Sequence, residues 1–329
     1  MTAYMSLTPG IAVPRHLGET ARRRLIELGL FDKSRRATSD SEEVFLPVLA
    51  EPAAIDIPFR TVQMEFTSDR RRLTAEDLLG RPVSFEVIGD IAILEDPQTE
   101  AAAQALQKAH KTIKVVLAAE SEVEGEFRTR RFRKLAGEDR TWTVHRENGL
   151  ALAVDLEKAY FTPRLGTERK RVADQVRPGD MVLDMFAGVG PFALLMARRG
   201  GRVVAIDKNP SAIKLLRDNA AKNRLELEIL EGDAGLLAGA FAGKARHIVM
   251  NLPHSSARFL PAAIAAAAPG GVIHYYAFAP EDDLYRDAKA ANAAAQDLGR
   301  EIEVLYRGVV RSYSPHWFNI VLDLQIAMG

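Results

Sequence analysis

The run Val182 to Phe192, VLDMFAGVGPF, constrains the fold of this chain more than any other stretch. Apolar, strand-favouring residues lead into Asp184. A small-residue turn with Gly188 and Gly190 follows, and Ala193, Leu194, Leu195 and Ala197 then set a helical pattern. A buried strand that ends in a glycine turn and opens a helix is a nucleotide-cradling device. Glycine lets the backbone approach a ligand, and the helix N-terminus presents unpaired N–H groups. On the glycines alone, an ordinary strand–turn–helix unit fits as well.

The residues that follow favour the nucleotide reading. Arg202 to Asp207 (RVVAID) reads as a second buried strand ending in an acid. Asp207 stands 19 positions after Gly188, near the offset of roughly 20 at which an acid meets ribose hydroxyls. Ile229 to Asp233 (ILEGD) repeats the pattern, and Ile248 to Pro253 (IVMNLP) ends in Asn-Leu-Pro. Four strand ends in series thus carry a polar residue, and in an open parallel sheet ligands bind outside those ends.

The turn lacks the third glycine of GxGxxG, because Pro191 and Phe192 follow Gly190 directly. Asp184 stands just before it. An acid there repels a pyrophosphate but suits the ammonium of an amino acid. S-adenosylmethionine has no phosphate and carries such an ammonium, so it is favoured over NAD.

At 329 residues the chain can hold two or three domains. An apolar content of 47% supports a globular protein with a sizeable core. With no cysteine there is no disulfide framework, thiolate metal site or cysteine nucleophile. The seven histidines form no HxxxH pair, so no metal is expected. No apolar run reaches the roughly 18 residues of a membrane span. The start MTAYMSLTPG lacks signal architecture, so the expected compartment is the cytoplasm.

A net charge of zero, taken whole, argues against a nucleic-acid binder. Locally the balance differs. Arg15 to Arg36 holds seven Lys/Arg against three Asp/Glu, Glu126 to Lys134 five against one, and Arg164 to Arg171 four against one. Each cluster alone suits a solvated face. Three of them in separate segments make a long polyanion a plausible partner.

Three domains are expected. In residues 1–65, Gly18 to Leu30 has helical spacing with Leu17, Ala21, Leu25 and Leu28 as its apolar stripe, and Glu43 to Leu49 reads as an edge strand interrupted by Pro47. In residues 66–155, Pro82 to Leu94 carries a hairpin turn at Gly89-Asp90, and Thr99 to His110 reads as a helix. Thr112 to Leu117 reads as a strand, and Glu122 to Leu135 is packed with arginines. Asn148-Gly149 is the strongest hairpin signal, between Trp142 to Glu147 and Leu150 to Asp155. In residues 156–329, helices Pro210 to Asn223, Ala257 to Ala268 and Asp282 to Leu298 alternate with strands, of which Gly270 to Phe278 is the fifth. Ile302 to Arg311 and Phe318 to Gln325 close the sheet as an antiparallel hairpin around Tyr313-Ser314-Pro315. The expected fold is α/β, a mostly parallel doubly wound sheet of Rossmann type with a terminal antiparallel hairpin, plus two smaller N-terminal α+β domains.

The whole chain resembles the archaeal and eukaryotic tRNA (guanine-N1)-methyltransferases that modify guanosine 37, 3′ of the anticodon. The resemblance rests on VPRHLGETARRRLIELGLFDKSRR and EVFLPV, on GEFRTRRFRKLAGE and TVHRENG, and on AYFTPRLGTER, DMFAGVGPF, AIDKNP, MNLPH and SYSPHWF. Together these are highly specific. It implies a class I methyltransferase domain at 156–329, a tRNA-elbow-binding domain at 1–65 and a middle domain at 66–155 that serves tRNA binding and the active site. A sister family transfers an aminocarboxypropyl group from the same cofactor in wyosine synthesis and shares DMFAG. This chain keeps Arg164 and Asn251-Leu252-Pro253, which favours methyl transfer. Methylation of a wyosine precursor stays open.

Guanine N1 is a poor nucleophile until its proton leaves, so a positioned base must take it. The resemblance puts Glu168 in that role; a helix-face glutamate paired with Arg171 or Arg164 is the alternative. Negative charge then grows on O6, and Arg128 matches the family's arginine that stabilises it; otherwise it is one more phosphate contact beside Arg130, Arg131 and Arg133. Asn251 is expected at the base edge, Pro253 as the rigid turn beside it, Tyr160 to stack on or orient the base, and Arg164, Arg130 and Arg131 on the tRNA. For the cofactor, Asp207 and Lys208 are expected at the ribose, Asp233 and Ala234 at the adenine, and Asp184, Phe186 and Gly188 towards the methionine, with Asn251 adjacent and Arg169 at its carboxylate. The partner is tRNA, engaged at elbow and anticodon stem-loop, with no membrane and a single acting chain. Rivals of other classes are an NAD-dependent dehydrogenase and a non-catalytic tRNA-binding protein.

Overall fold

The computed structural model describes residues 7–67, 74–94, 100–121 and 125–328. The opening MTAYMS, Thr99 and residues 122–124 lie outside them, so the readings made there have no structural counterpart. Two compact units result, Met1–Thr74 and Ala75–Gly329.

Among its described residues the first unit holds a four-stranded sheet and one α-helix, entered through a 3-10 turn at Arg15–Leu17. Strands β1 (Thr8–Pro14), β2 (Thr38–Ser39), β3 (Glu43–Pro47) and β4 (Arg60–Met64) lie in the order β2-β3-β1-β4. Helix α1 (Gly18–Glu27) buries Ala21 and Leu25 with Ile11, Val13, Leu46 and Val48, as the apolar stripe requires. Leu28 falls outside the stripe and is exposed. The strand expected at the edge is interior instead. Pro47 is tolerated there because it ends β3, beyond the two residues that pair with β2, and its carbonyl accepts from Asp32 N–H.

The second unit begins with α2 (Ala75–Leu79) and a sheet of order β5-β6-β7-β8, made by β5 (Phe85–Ile88), β6 (Ile91–Leu94), β7 (Val115–Ala119) and β8 (Phe132–Gly137). Helix α3 (Glu100–Ala109) crosses between the parallel β6 and β7. One face of this sheet packs on α2 and α3; the other, through Ile88, Ile91, Val115 and Leu117, shares a core with Leu152, Phe192 and Leu194 further along. The hairpin β9 (Trp142–Glu147) and β10 (Leu150–Asp155) turns at Asn148 (φ 48°) and Gly149 (φ 79°), the left-handed pair of a type I′ turn. Asn219 and Asn223 of α6 (Pro210–Asn223) exchange hydrogen bonds with the Ala153 and Ala151 backbone, satisfying the open edge of β10.

The main sheet has seven strands: β11 (Met181–Asp184), β12 (Arg202–Asp207), β13 (Glu228–Glu231), β14 (Ala245–Met250), β15 (Ala267–Pro280), β16 (Ile302–Ser314) and β17 (Trp317–Ile326). Their order is β13-β12-β11-β14-β15-β17-β16, with the first five parallel and β17 antiparallel to both its neighbours. Helices α4 (Gly166–Ala173), α5 (Pro191–Arg198) and α6 cover one face, and α7 (Ala234–Leu237), α8 (Leu260–Ala266) and α9 (Asp287–Asp297) the other. Both faces are buried, which is why the strands read as continuous apolar runs: Val182 faces one core, Leu183 the other.

The terminal hairpin exists, but β17 enters between β15 and β16, and the turn falls at Pro315-His316, where His316 takes φ 61°. Ser312 to Ser314 stay in β16 because they pair with Trp317 and Phe318. Of the helix expected from Asp282, a 3-10 turn takes Glu281–Asp283 and α9 begins at Asp287. The helix expected from Ala257 starts as a 3-10 turn (Ser256–Phe259), and Ala267 already belongs to β15.

Candidate active site

A cavity opens at the carboxyl ends of β11, β12, β13 and β14, beside the point where strand order reverses. Its lining contains Phe186, Gly188, Asp207, Lys208, Asp233 and Ala234 together with Arg128, Tyr160, Asn251, Leu252 and Pro253, and Arg169 reaches it from α4. The sequence therefore brings together most of its named residues. Asp184, Glu168, Arg130, Arg131 and Arg164 are not in the wall.

The glycine turn has a clear physical basis. Gly188 sits at φ 55°, and a Cβ there would point towards the Tyr160 carbonyl at 3.8 Å. Gly190, at φ 92°, caps α5, and a Cβ would strike Leu216 at 2.2 Å. Asp207 ties this turn to β12: Gly188 N–H donates to Oδ2 at 2.7 Å and Asn209 N–H to Oδ1 at 2.8 Å. Burial raises the Asp207 carboxyl above its usual range, against those donors. Asp233 caps α7, accepting from Gly235 N–H at 2.8 Å. Phe186 meets Phe259 edge-on at 4.9 Å between centroids. Lys208 leans out to Glu126 at 2.5 Å, so its charge is partnered at the rim.

Asp184 lies behind the wall. It is 1% exposed, Oδ1 accepts from Phe186 N–H at 3.4 Å and Oδ2 has no partner. Burial pushes it up to about 7. The carboxyl that the sequence puts towards the methionine is enclosed behind the lining residues Met185 and Phe186.

Arg169 is also differently used. It is 2% exposed; Nη1 donates to both Glu147 oxygens at 2.7 Å and Nη2 to the Thr162 carbonyl at 2.7 Å, while Nε has no partner. Its guanidinium lies over Phe161 and Phe192. The charge expected to meet a carboxylate ligand is largely spent on Glu147, which the sequence reading missed.

Arg128 holds φ 54° in the loop after Gly125 and lies over the Tyr160 ring at 5.4 Å. Burial lowers its pKa, and no ion pair reaches it among the described residues. It is a desolvated cation aimed at the cavity. Beyond it the wall is completed by Phe278, Arg311 and Asn319, none of which the sequence reading named. Phe278 stacks on Tyr313 at 3.9 Å and meets His254 at 4.5 Å. Asn319 is buried with Oδ1 unpartnered, and Arg311 Nε is likewise unpartnered. Arg311 and Asn319 flank SYSPHWF on either side, and the pairing Arg311↔Asn319 brings them together at the cavity.

Glu168, the expected base, faces a polar cluster behind the wall. Arg171 Nε and Nη2 donate to it at 2.9 Å each, and Tyr276 OH donates to Oε1 at 2.7 Å. Its side chain is 12% exposed. The pairing with Arg171 is the alternative that the sequence left open; the cavity-facing carboxylate is not observed. Arg164 donates to Glu86 at 2.8 Å from an exposed position. Arg131 is anchored through its own N–H on Ser121, at 3.2 Å, and Arg130 Nε is buried without a partner.

The catalytic half matches the TRM5/TYW2 methyltransferase domain family over residues 143–305. The tRNA methyltransferase 5 N-terminal domain matches residues 10–56 and the TYW2 N-terminal domain residues 70–141. The tRNA (guanine(37)-N(1))-methyltransferase Trm5b of Pyrococcus abyssi is 38% identical over 98% of this chain and 100% of its own; its crystal structure superposes with a TM-score of 0.74, covering 97% and 99%. The complex of aTrm5 with tRNALeu superposes at 0.69 with 32% identity, covering 96% and 99%, and Methanocaldococcus jannaschii Trm5 in complex with adenosine at 0.62 with 33% identity, covering 97% and 99%. The tRNA(Phe) (4-demethylwyosine(37)-C(7)) aminocarboxypropyltransferase of Pyrococcus horikoshii is 30% identical over 74% of this chain and 90% of its own. With a relative that similar matched along its whole length, this chain belongs to the TRM5/TYW2 methyltransferase family.

Proposed function

We propose that this protein transfers the methyl group of S-adenosylmethionine to N1 of guanosine 37 in tRNA. The observation that carries the reading is one cavity in which the strand-end acids Asp207 and Asp233 face Arg128, Tyr160, Asn251 and Pro253. Relatedness supports it: the two Trm5b methyltransferases match 98% and 94% of the chain at 38% and 35% identity, whereas the aminocarboxypropyl relative matches 74% of it at 30%.

The residues fit the cofactor. Two acids and no phosphate-cradling third glycine suit ribose hydroxyls and an adenine amine better than a pyrophosphate. Asp207 keeps lone pairs for the ribose after its two backbone bonds; Asp233, Ala234, Phe186 and Phe259 form the adenine slot; Gly188 leaves room towards the methionine. When bound, S-adenosylmethionine supplies an activated methyl group.

The protein's own work is alignment and proton management. The guanine swings out of the anticodon loop and stacks between Tyr160 and the Phe278 shelf. Asn251 bonds its edge, beside the rigid Pro253. Arg128, desolvated and lacking a carboxylate partner among the described residues, stabilises charge that grows on O6 as N1–H leaves. Glu168 accepts that proton, and to do so its carboxylate turns from Tyr276 towards the cavity. Lys208 and Arg169 frame the cofactor, Arg169 mainly by holding Glu147 and Thr162 in place. Residues 1–65 bind the tRNA elbow, 66–155 flank the anticodon stem-loop with Arg130, Arg131 and Arg164 as their neighbour on the tRNA side, and 156–329 carry the chemistry. The protein acts as a single chain in the cytoplasm, where its substrate is.

The test is incubation with methyl-labelled cofactor and unmodified tRNA transcripts carrying guanosine or adenosine at position 37. Label should enter only the guanosine transcript, at N1. Equal labelling of both, or tRNA binding with no labelling, overturns the reading.

A further inference from the structure

A buried polar array runs behind the cavity and ends on Glu168. Arg171 is its centre. It donates to Glu168 on one side and to both oxygens of Asp323 on the other, at 2.7 and 3.1 Å, and lies over the Tyr306 ring at 4.3 Å. Asp323 also accepts from Gln175, at 3.2 Å, and from His274 Nδ1, at 2.7 Å. Paired with Arg171 and His274, Asp323 titrates well below the usual carboxylate range. An ionised Asp323 only accepts, so His274 carries its proton on Nδ1. His274 Nε2 lies 3.3 Å from His247 Nδ1, and Asp180 is 3.5 Å from His247 Nε2. Tyr276 closes the other side of Glu168.

The arrangement is costly for a helix-face glutamate. Arg171 and Tyr276 both bond this one carboxylate, and Arg171 is itself held by Asp323 on β17. If Glu168 bonded Arg171 alone, the guanidinium would hold its proton affinity too low for a base. Sharing Arg171 with a second, firmly ionised carboxylate offsets that pull. The geometry points to Arg171, Asp323 and Tyr276 as positioning residues that set how readily Glu168 takes the N1 proton, with Asp323 raising its basicity through Arg171 and Tyr276 lowering it. The inference rests on Glu168 being the base. Among the described residues, the charged and titratable groups facing Glu168 are Arg171 on its own helix, Tyr276 on β15, and, through Arg171, Asp323 on β17 with His274 behind it.

The test is the pH profile of kcat/KM for full-length tRNA at saturating cofactor, because that ratio reports ionisation of the cofactor-loaded enzyme before tRNA binds. The acid limb should move in opposite directions. Asp323→Asn leaves Arg171 wholly to Glu168, so the limb moves down by about one pH unit and the plateau falls. Tyr276→Phe removes a donor to the carboxylate, so the limb moves up by about half a unit or more. Residues that only support the fold would lower the plateau and leave the limb in place, and that result overturns the inference. If Asp323→Asn does not fold, Tyr276→Phe decides alone. Glu168→Gln separates the two claims: full activity in that variant sinks the base reading itself, whereas loss of activity with unmoved limbs in the others sinks only the tuning.

Discussion

Asp207 and Gly188, 19 residues apart, are joined by a 2.7 Å hydrogen bond from the Gly188 N–H to Oδ2. The carboxylate therefore shapes the glycine turn as well as the floor on which a ribose would rest. Asp207→Ala removes both at once. The cofactor KM should rise about ten- to hundredfold, with tRNA affinity within a factor of about two. Steady-state methylation at varied cofactor concentration checks the first, filter binding the second; an unchanged cofactor KM refutes the assignment.

Arg128 has no fold-supporting ion pair among the described residues, so its loss should be felt in the chemical step. Arg128→Ala should lower kcat by about a hundredfold while the melting temperature stays put. Single-turnover methylation measures it. A rise in tRNA KM with kcat intact would make Arg128 a phosphate contact instead.

Glu147 partners the deeply buried Arg169. Glu147→Gln leaves that guanidinium without its counter-charge, and urea unfolding should show a loss of about 3–5 kcal/mol. A change below about 1 kcal/mol would mean that water or another group reaches Arg169.

Asp184 gives stability a pH signature. Burial lifts it to about 7 from an ordinary 3.8, so the native state holds a proton that the unfolded chain gives up. That stabilisation is complete below about pH 4 and drains away as pH rises to about 7. Asp184→Asn cannot ionise. Between pH 5 and pH 8 the wild type should lose about 2 kcal/mol more than the variant in urea melts. Parallel pH curves would contradict the buried, proton-holding carboxyl.

The first unit tests the elbow reading. Removing residues 1–74 should weaken binding of full-length tRNA, while an isolated anticodon stem-loop binds both forms alike. Equal affinity for full-length tRNA would remove that role from the unit.

Local chemistry was easy to read in the chain. Asn148-Gly149 marked its hairpin to the residue, and Asn209-Pro210 marked the start of α6, because cap, proline and turn signals act within a few positions. Three of the four polar strand ends, Asp207, Asp233 and Asn251, meet at one cavity because a doubly wound sheet puts such ends on one rim. What stayed hidden depends on distant partners. Glu147 and Arg169 are 22 residues apart and Arg171 and Asp323 are 152 apart; no spacing rule connects them. Asp184 looked like a ligand because its depth below the floor is set by how Met185 and Phe186 lie over it. Arg311 and Asn319 went unnoticed because they reach the cavity only through the pairing of the last two strands.

That pairing dictates an order of assembly. Among the described residues, Ile302–Ser314 pairs within the sheet with Trp317–Ile326 alone, and that later segment lies between it and Ala267–Pro280. A nascent chain that has delivered residue 314 has an outermost strand with nowhere to dock. Asn319 and Asp323 travel on the inserted segment, so the far wall of the cavity and the anchor of Arg171 arrive together, last. During synthesis on the ribosome, the nucleotide rim can form early, but a pocket competent for a nucleobase must wait until this segment has emerged.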